Sequence, residues 1–125
     1  QTIRDSYTYY DLKIKLTSSA TRSLSSGVLS CTNLELTNPS GSSDGTGTLS
    51  GNLSLSGNIT IGTNCKFDAN SYNSSVDGNW VNNGSIDLGS TTTTFDGSST
   101  QTISGANTFY NITVNKSGGN LNISH

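Results

Sequence analysis

The sequence predicts an all-β protein, a parallel β-solenoid (β-helix) of about five to six coils at 20 to 25 residues per circuit. Three observations predict it: a tetrad of Asn, apolar, polar and apolar residues recurs, its copies are regularly spaced, and the end of the chain repeats the beginning. The alternative is an antiparallel β-sandwich of short strands. The solenoid is preferred, because strands of a sandwich need not begin with the same residue type.

The tetrads read as short strands. Their alternation places both apolar side chains on one face and the polar side chain on the other. The leading Asn or Asp suits a corner between strands, because it tolerates left-handed backbone and bonds locally to the main chain. The tetrads are residues 33–36, 52–55, 58–61, 64–67, 111–114 and 120–123, with 11–14 and 85–88 as variants.

The spacing of the tetrads predicts how the strands stack. The step from Asp11 to Asn33 and the step from Asn33 to Asn52 each match one circuit of a solenoid. Asn52, Asn58 and Asn64 follow one another at six-residue intervals, which matches successive sides of one circuit.

A longer repeat is nested over these coils. Residues 101–103 repeat residues 1–3, and residues 108–114 resemble residues 8–14, at a constant offset of 100. We interpret residues 1–125 as a single β-solenoid segment, in which 1–100 form one long repeat unit and 101–125 begin the next copy. Repeats of this kind bury their apolar faces against neighbours. The strands expected to join further copies contain Tyr9, Tyr10, Leu12, Ile14, Leu16, Phe109, Tyr110, Ile112, Val114, Leu121 and Ile123.

Composition narrows the class of protein. Only 30% of residues are hydrophobic and 11% charged, and Ser, Thr, Asn and Gly together fill 70 of 125 positions. Disordered chains are poor in apolar residues but rich in charge, so this composition differs from theirs. The net charge of −2 and the lack of a basic run argue against a nucleic-acid partner. No apolar stretch has the length of a membrane span, so no membrane insertion is expected.

Residues 78–115 carry a family resemblance. The segments 78–86, 94–97, 101–105 and 108–114 resemble a repeat common in large bacterial surface and secreted proteins, broadly similar to the β-helical stalks of filamentous haemagglutinin-like adhesins. The resemblance implies a parallel β-solenoid in an exported, repetitive fibre or adhesin. It therefore implies an extracellular or cell-surface location. Residues 39–77 depart from the pattern.

Catalytic and metal-binding chemistry is not expected. The single histidine, His125, is the last residue. A side chain at a chain terminus is rarely held by neighbouring groups in the fixed position that catalysis requires. Asp68, Asp77, Asp87 and Asp96 recur every nine or ten residues and could align on one face, but solvated turn residues are the simpler interpretation. No calcium-binding nonapeptide run is complete. We therefore predict no catalytic residue, no cofactor and no metal, and treat a carbohydrate-active β-helix enzyme as the least favoured alternative.

Two cysteines and two sequons complete the candidate sites. Cys31 and Cys65 match neither a zinc nor a redox spacing, so they are either free buried thiols or a disulfide between neighbouring turns. Asn73 and Asn83 lie in loop-like sequence and are the candidate glycosylation positions.

The favoured function is a non-catalytic structural repeat of an extracellular fibre, filament or surface protein that self-assembles end to end. The alternative is an adhesin or glycan-binding module. Its contact surface would be the apolar-free stretch 39–48, expected to be an excursion loop, or the aromatic residues Tyr7, Tyr9, Tyr10, Phe109 and Tyr110.

Overall fold

The computed structural model describes residues 8–124, which form short β-strands and no helix. Buried and more exposed residues alternate along most of them, as in the long strand β3. The fourteen strands are β1 (Tyr9–Lys15), β2 (Thr21–Ser23), β3 (Leu29–Thr37), β4 (Gly45–Thr48), β5 (Leu53–Leu55), β6 (Ile59–Ile61), β7 (Cys65–Asp68), β8 (Ser74–Val76), β9 (Trp80–Asn82), β10 (Ser85–Asp87), β11 (Thr92–Phe95), β12 (Gln101–Gly105), β13 (Asn111–Val114) and β14 (Leu121–Ser124).

All strand pairings within residues 8–124 are parallel, and the strands stack as three sides of a solenoid. The first side holds the start of β3, then β5, β8, β11 and β13. The second side holds most of β1, the end of β3, then β6, β9, β12 and β14. The third side holds β2, β4, β7 and β10. We number the coils along the chain: coil 1 contains β1 and β2, coil 2 β3 and β4, coil 3 β5 to β7, coil 4 β8 to β10, coil 5 β11 and β12, and coil 6 β13 and β14. The predicted β-solenoid of about six coils is therefore confirmed, and the antiparallel sandwich was wrong.

One column of aligned residues on the second side measures the coil. Each member pairs with the member of the next coil, and every step along the column falls within the predicted length of a circuit. In order along the stack, the members of this column are Leu12, Leu34, Ile59, Trp80, Ile103 and Ile123.

The tetrads lie in strands, but one spacing was misinterpreted. The three tetrads that begin at Asn52, Asn58 and Asn64 contain β5, β6 and β7, the three sides of coil 3, as their six-residue spacing predicts. The step from Asn33 to Asn52 is not a circuit, because Leu34 pairs with Ile59 and Asn33 therefore lies in line with Asn58. The error arises because β3 runs from the first side to the second without a break.

Asparagine side chains link successive coils. The Oδ1 of Asn33 accepts from the backbone N–H of Asn58 at 2.7 Å, and the Oδ1 of Asn58 accepts from that of Asn79 at 2.7 Å. The Oδ1 of Asn79 continues the ladder to the N–H of Thr102 at 2.8 Å. A second ladder starts at Asn52 and runs through Asn73 to Thr92 on the first side. The expectation of local bonding was therefore wrong at these positions, where the bonds join different coils.

The interior changes character along the stack. Leucine and isoleucine make up most of the apolar core of coils 1 to 3, including Leu16, Leu24, Leu36, Leu55 and Ile61, alongside both cysteines and Phe67. From Phe67 onward the core contains a chain of edge-to-face aromatic rings. The ring centroids are 6.0 Å apart for Phe67 and Trp80, 6.4 Å for Trp80 and Phe95, 5.4 Å for Trp80 and Phe109, and 6.0 Å for Phe95 and Phe109.

The stretch 39–48 is only partly a loop. Gly45–Thr48 form β4 and pair with both β2 and β7. A Cβ on Gly45 would lie 2.7 Å from Cβ of Leu16, and one on Gly47 would lie 2.8 Å from Cδ2 of Leu24. Because leucines of coil 1 fill the interior at this point, a strand without apolar side chains fits there. The prediction of an excursion loop over residues 45–48 was wrong for that reason.

The two segments related by the 100-residue offset occupy different sides of the solenoid. Residues 11–14 lie on the second side, where Leu12 pairs with Leu34, whereas residues 111–114 lie on the first side, where Ile112 pairs with Thr93. Residues 1–7, including the repeated triplet at the start, lie outside the described residues. The sequence similarity therefore does not place the two strands at equivalent corners.

Candidate functional site: the open C-terminal end of the solenoid

The last coil leaves one edge of β13 and one edge of β14 without a strand partner among residues 8–124. Three aliphatic side chains that continue buried columns are exposed there: Ile112 by 43%, Val114 by 56% and Ile123 by 65%. Tyr110 beside them is 66% exposed. We call these four side chains the C-terminal face. Lys116 is the only charged side chain among residues 106–124.

A cavity of about 520 Å³ opens into the solenoid at this face. It forms because residues 106–110 cross the third side of coil 5 without making a strand. Phe109 lies beside Trp80 and Phe95 at the edge of this opening. The lining residues are Ile103, Gly105, Ala106, Asn107, Thr108, Phe109, Ile112 and Ile123.

Two asparagines of the last coil lie in line with the ladders at the same face. Asn111 pairs with Thr92 in the column that begins at Asn52, and Asn122 pairs with Thr102 in the column that runs from Asp11 through Asn33. In both columns, asparagines of earlier coils, such as Asn52 and Asn79, accept a hydrogen bond from a backbone N–H of the following coil. Sequence analysis did not assign this role to Asn111 and Asn122, although the recurrence of Asn about one coil apart carries the signal.

The opposite end of the solenoid is formed by β1 and, on the third side, by β2. Tyr9, Leu12 and Ile14 are half-buried against the core and form what we call the N-terminal face. Tyr10 points outward and is 84% exposed, so it takes no part in the core. Leu16, predicted to be a joining residue, is fully buried beneath β4 and therefore belongs to neither face.

Charged side chains surround the N-terminal face. The Nζ of Lys13 lies 3.0 Å from Oε1 of Glu35 in the next coil, and the Nδ2 of Asn33 donates to Oδ1 of Asp11 at 2.6 Å. The two predicted joining surfaces therefore differ, with charges beside one and exposed aliphatic side chains on the other.

The four regularly spaced aspartates form two pairs instead of one row. Asp68 pairs with Asp87 on the third side, and Asp77 lies by Asp96 at the corner that follows the first side. Partial burial raises the pKa of Asp77, and its hydrogen bond and repulsion with the Asp96 carboxylate raise it further, while Lys116 opposes them. The hydroxyl of Ser75 lies 3.1 and 2.9 Å from the two carboxylate oxygens of Asp96 and donates to them.

Both cysteines are free and buried, on different sides of the solenoid. Burial, together with the charge of Asp11, raises the pKa of the Cys31 thiol to about 11. Burial and the charge of Asp44 raise the pKa of the Cys65 thiol, against a lowering by the backbone of Gly62. Of the two alternatives, the structure therefore has the free thiols, in their least nucleophilic form.

The surfaces proposed for glycan binding are separated. Tyr9 and Tyr10 lie in the first coil, Phe109 and Tyr110 lie at the other end, and Tyr7 lies outside the described residues. Beside the loop that starts at Pro39 is an open groove of about 690 Å³. It is lined by Lys13, Lys15, Thr37, Asn38, Pro39, Gly62 and Thr63, so residues 8–124 supply no aromatic ring there for stacking on a sugar.

Asn73 and Asn83, the candidate glycosylation positions, are both exposed. Asn73 already accepts the N–H of Thr92 in the ladder of the first side. A sugar on its amide nitrogen would therefore be attached to a side chain that links two coils.

Within residues 8–124 no group of three or more His, Cys, Asp or Glu side chains is arranged to hold a metal ion. His125, the predicted non-catalytic terminus, lies outside that range. The same residues contain no helix of the length and apolarity that a membrane span requires. Comparison of the chain with models of protein families, with curated proteins and with solved structures finds no match.

Proposed function

We propose that this chain is a non-catalytic structural repeat of an extracellular fibre, filament or surface protein, which continues end to end into further copies by β-strand stacking. The observation that carries the proposal is the C-terminal face. Its aliphatic side chains stand in columns that are buried in the preceding coils of the same side.

The energetic argument follows from burial. Burying a Val or Ile side chain completely contributes about 1.5–3 kcal/mol relative to exposure. Ile112, Val114 and Ile123 are each between 43% and 65% exposed, so one further coil removes a substantial part of this area from water. A further coil also satisfies the open strand edges, which otherwise template uncontrolled pairing.

The low charge of the lateral sides supports a scaffold. The outward positions of the first side carry Ser30, Ser54, Ser75, Thr94 and Thr113 in one aligned column. Such a column is solvated and uncharged, and it presents no convergent reactive groups. The first side thus offers an uncharged column of hydroxyl groups along the axis.

The test is self-association of the full chain. We expect rods of constant width in negative-stain electron microscopy, and sedimentation coefficients that increase with protein concentration. Ile112→Lys with Ile123→Lys should shift the equilibrium to monomers, because it places charge on the C-terminal face. The matched control, Ser54→Lys with Thr60→Lys, adds the same charge to outward positions of coil 3 and should assemble normally.

Dispersed monomers at all concentrations, in a protein whose gene encodes no further copies of this repeat, would contradict the proposal. Measured hydrolysis or elimination activity on a polysaccharide would favour the enzyme alternative instead.

A further inference from the structure

The polarity and register of the junction follow from the ladders. Resting on the proposed end-to-end function, we propose that the C-terminal face binds the N-terminal face of a second copy, head to tail. In that junction Leu12 of the second copy stacks on Ile123, and Tyr9 of the second copy stacks on Val114.

Column continuity sets this register. Leu12 and Ile123 are the first and last members of the column on the second side. Tyr9 and Val114 are the first and last members of the column that runs through Cys31, Leu55, Val76 and Phe95. A second copy placed as the next coil therefore brings a half-buried side chain of β1 over an exposed one in each column.

The asparagine ladder supplies the direction. From Asn33 to Thr102, the side-chain oxygen of one coil accepts the backbone N–H of the coil that follows it. At the first step the oxygen of Asp11 likewise accepts from the next coil, but from the Nδ2 of Asn33. The last coil consequently ends in acceptors, with Asn122 aligned in the ladder of the second side. Asp11 occupies the first position of that ladder and by the same register directs its N–H toward the N-terminal face. Only a head-to-tail contact places this donor opposite the Asn122 Oδ1.

The competing arrangements conflict with these features. Two C-terminal faces in contact would run their coils in opposite directions and oppose acceptor to acceptor, whereas all described pairings are parallel. Two N-terminal faces in contact would bring the Lys13 and Lys15 side chains of both copies to one junction, where like charges repel.

Cysteine cross-linking of the full chain tests the register. Neighbouring strands are about 4.8 Å apart, and Cα separations of about 4.4–6.8 Å permit a disulfide. Under mild oxidation we expect Leu12→Cys with Ile123→Cys to give covalent ladders of dimers, trimers and longer species. We expect the same of Tyr9→Cys with Val114→Cys in a Cys31→Ser background, which is needed because Cys31 pairs with residue 9 in the same chain. Leu12→Cys with Val114→Cys joins different columns and should give none.

Variants with a single introduced cysteine test the polarity of the junction. Ile123→Cys alone should stay monomeric on a denaturing gel, and its mixture with Leu12→Cys alone should give dimers only. The unmodified chain provides the background, since Cys31 and Cys65 are buried. As a measurement that needs no cross-link, Asn122→Ala should weaken association by about 2- to 12-fold, the net contribution of one hydrogen bond.

Two outcomes overturn the inference while leaving self-assembly intact: efficient dimers of Ile123→Cys alone, or assemblies in the microscope that give no ladder in either matched pair. Absence of any assembly in the unmodified chain overturns the proposed function itself, and this inference with it.

Discussion

On the second side, the two interior columns hold only leucine and isoleucine in coils 1 to 3, whereas in coils 4 to 6 the same columns include tryptophan, asparagine and glycine. In one column of the second side, Leu36 and Ile61 are followed by Asn82 and Gly105 in the next two coils. In the adjacent column, an aliphatic side chain is followed by the larger Trp80. Trp80 therefore lies on the same strand face as Asn82, whose side chain is smaller than the leucine and isoleucine of the preceding coils.

In the second half, the buried side chains of Asn82, Thr91 and Gln101 are hydrogen-bonded, whereas the Oγ of Ser74 has no partner among residues 8–124. Gln101 is 1% exposed, and its Nε2 donates to the carbonyls of Val76 at 2.8 Å and Gly78 at 2.6 Å. Its Oε1 accepts from the N–H of Gly97 at 3.2 Å and from the Nζ of Lys116 at 2.6 Å. The comparison teaches that backbone and asparagine ladders set the register of both halves, and that the core contents can vary within it.

The largest effect is expected from Trp80→Ala, compared with Ile59→Ala in the same column of the preceding coil. Trp80 is fully buried, contacts three aromatic rings, and donates from Nε1 to Oδ1 of Asn107 at 2.9 Å. We expect losses in the free energy of unfolding of about 4–5 kcal/mol for Trp80→Ala and about 2–4 kcal/mol for Ile59→Ala. Urea denaturation measures both.

Hydrogen exchange shows which coils Trp80→Ala destabilises. Because each coil of a solenoid contacts only its neighbours, Trp80→Ala should deprotect amides of coils 4 to 6 well before those of coils 1 and 2. Uniform deprotection along the whole chain would show that the two halves unfold as one unit. The two halves would then have no separate stabilities to compare.

The strands and coil length could be predicted because they depend on local alternation and on regular spacing. Contacts between coils could not, because they join residues a whole circuit apart in sequence. The Asp77 and Asp96 pair shows the difference. These two aspartates are separated by one coil, whereas the shorter steps through Asp87 cross to another side. The aspartates therefore do not form the single row that was considered as an alternative to solvated turn residues.

The strand β4 shows a second limit of prediction from sequence. Alternating Gly and Thr carries no apolar signal, so residues 45–48 read as a loop. Their interior position is set by Leu16 and Leu24 from another coil, which occupy the space that side chains of β4 would otherwise fill. No local sequence pattern shows that leucines of another coil fill the space beneath β4.

A smaller effect is expected from Gln101→Leu, which tests the polar half directly. The substitution keeps the size of the side chain but removes a donor from two buried carbonyls and an acceptor from Gly97 and Lys116. We expect a loss of about 1–3 kcal/mol in urea denaturation. Thr102→Val, at the neighbouring outward position, should change stability by less than about 0.5 kcal/mol. An equal or greater stability of Gln101→Leu would mean that the polar core is not required.

The smallest effect concerns Asp77 and depends on pH. Because the pKa of Asp77 is raised on folding, the folded protein retains a proton that the unfolded chain has released, and stability falls as pH rises above about 3.8. Asp77→Asn removes this penalty and should stabilise the protein at pH 7 by under about 1 kcal/mol, since the group is largely exposed and screened. The gain should vanish near pH 3, where both states are protonated.

The matched control for Asp77 is Asp87→Asn, which removes the 3.1 Å ion pair with Lys66 and should give no such gain. Thermal unfolding of the three proteins at pH 3, 5 and 7 measures the difference. A destabilised Asp77→Asn at pH 7 would show that the Asp77 charge is favourable where it lies, because the attraction of Lys116 would then outweigh burial and the repulsion from Asp96.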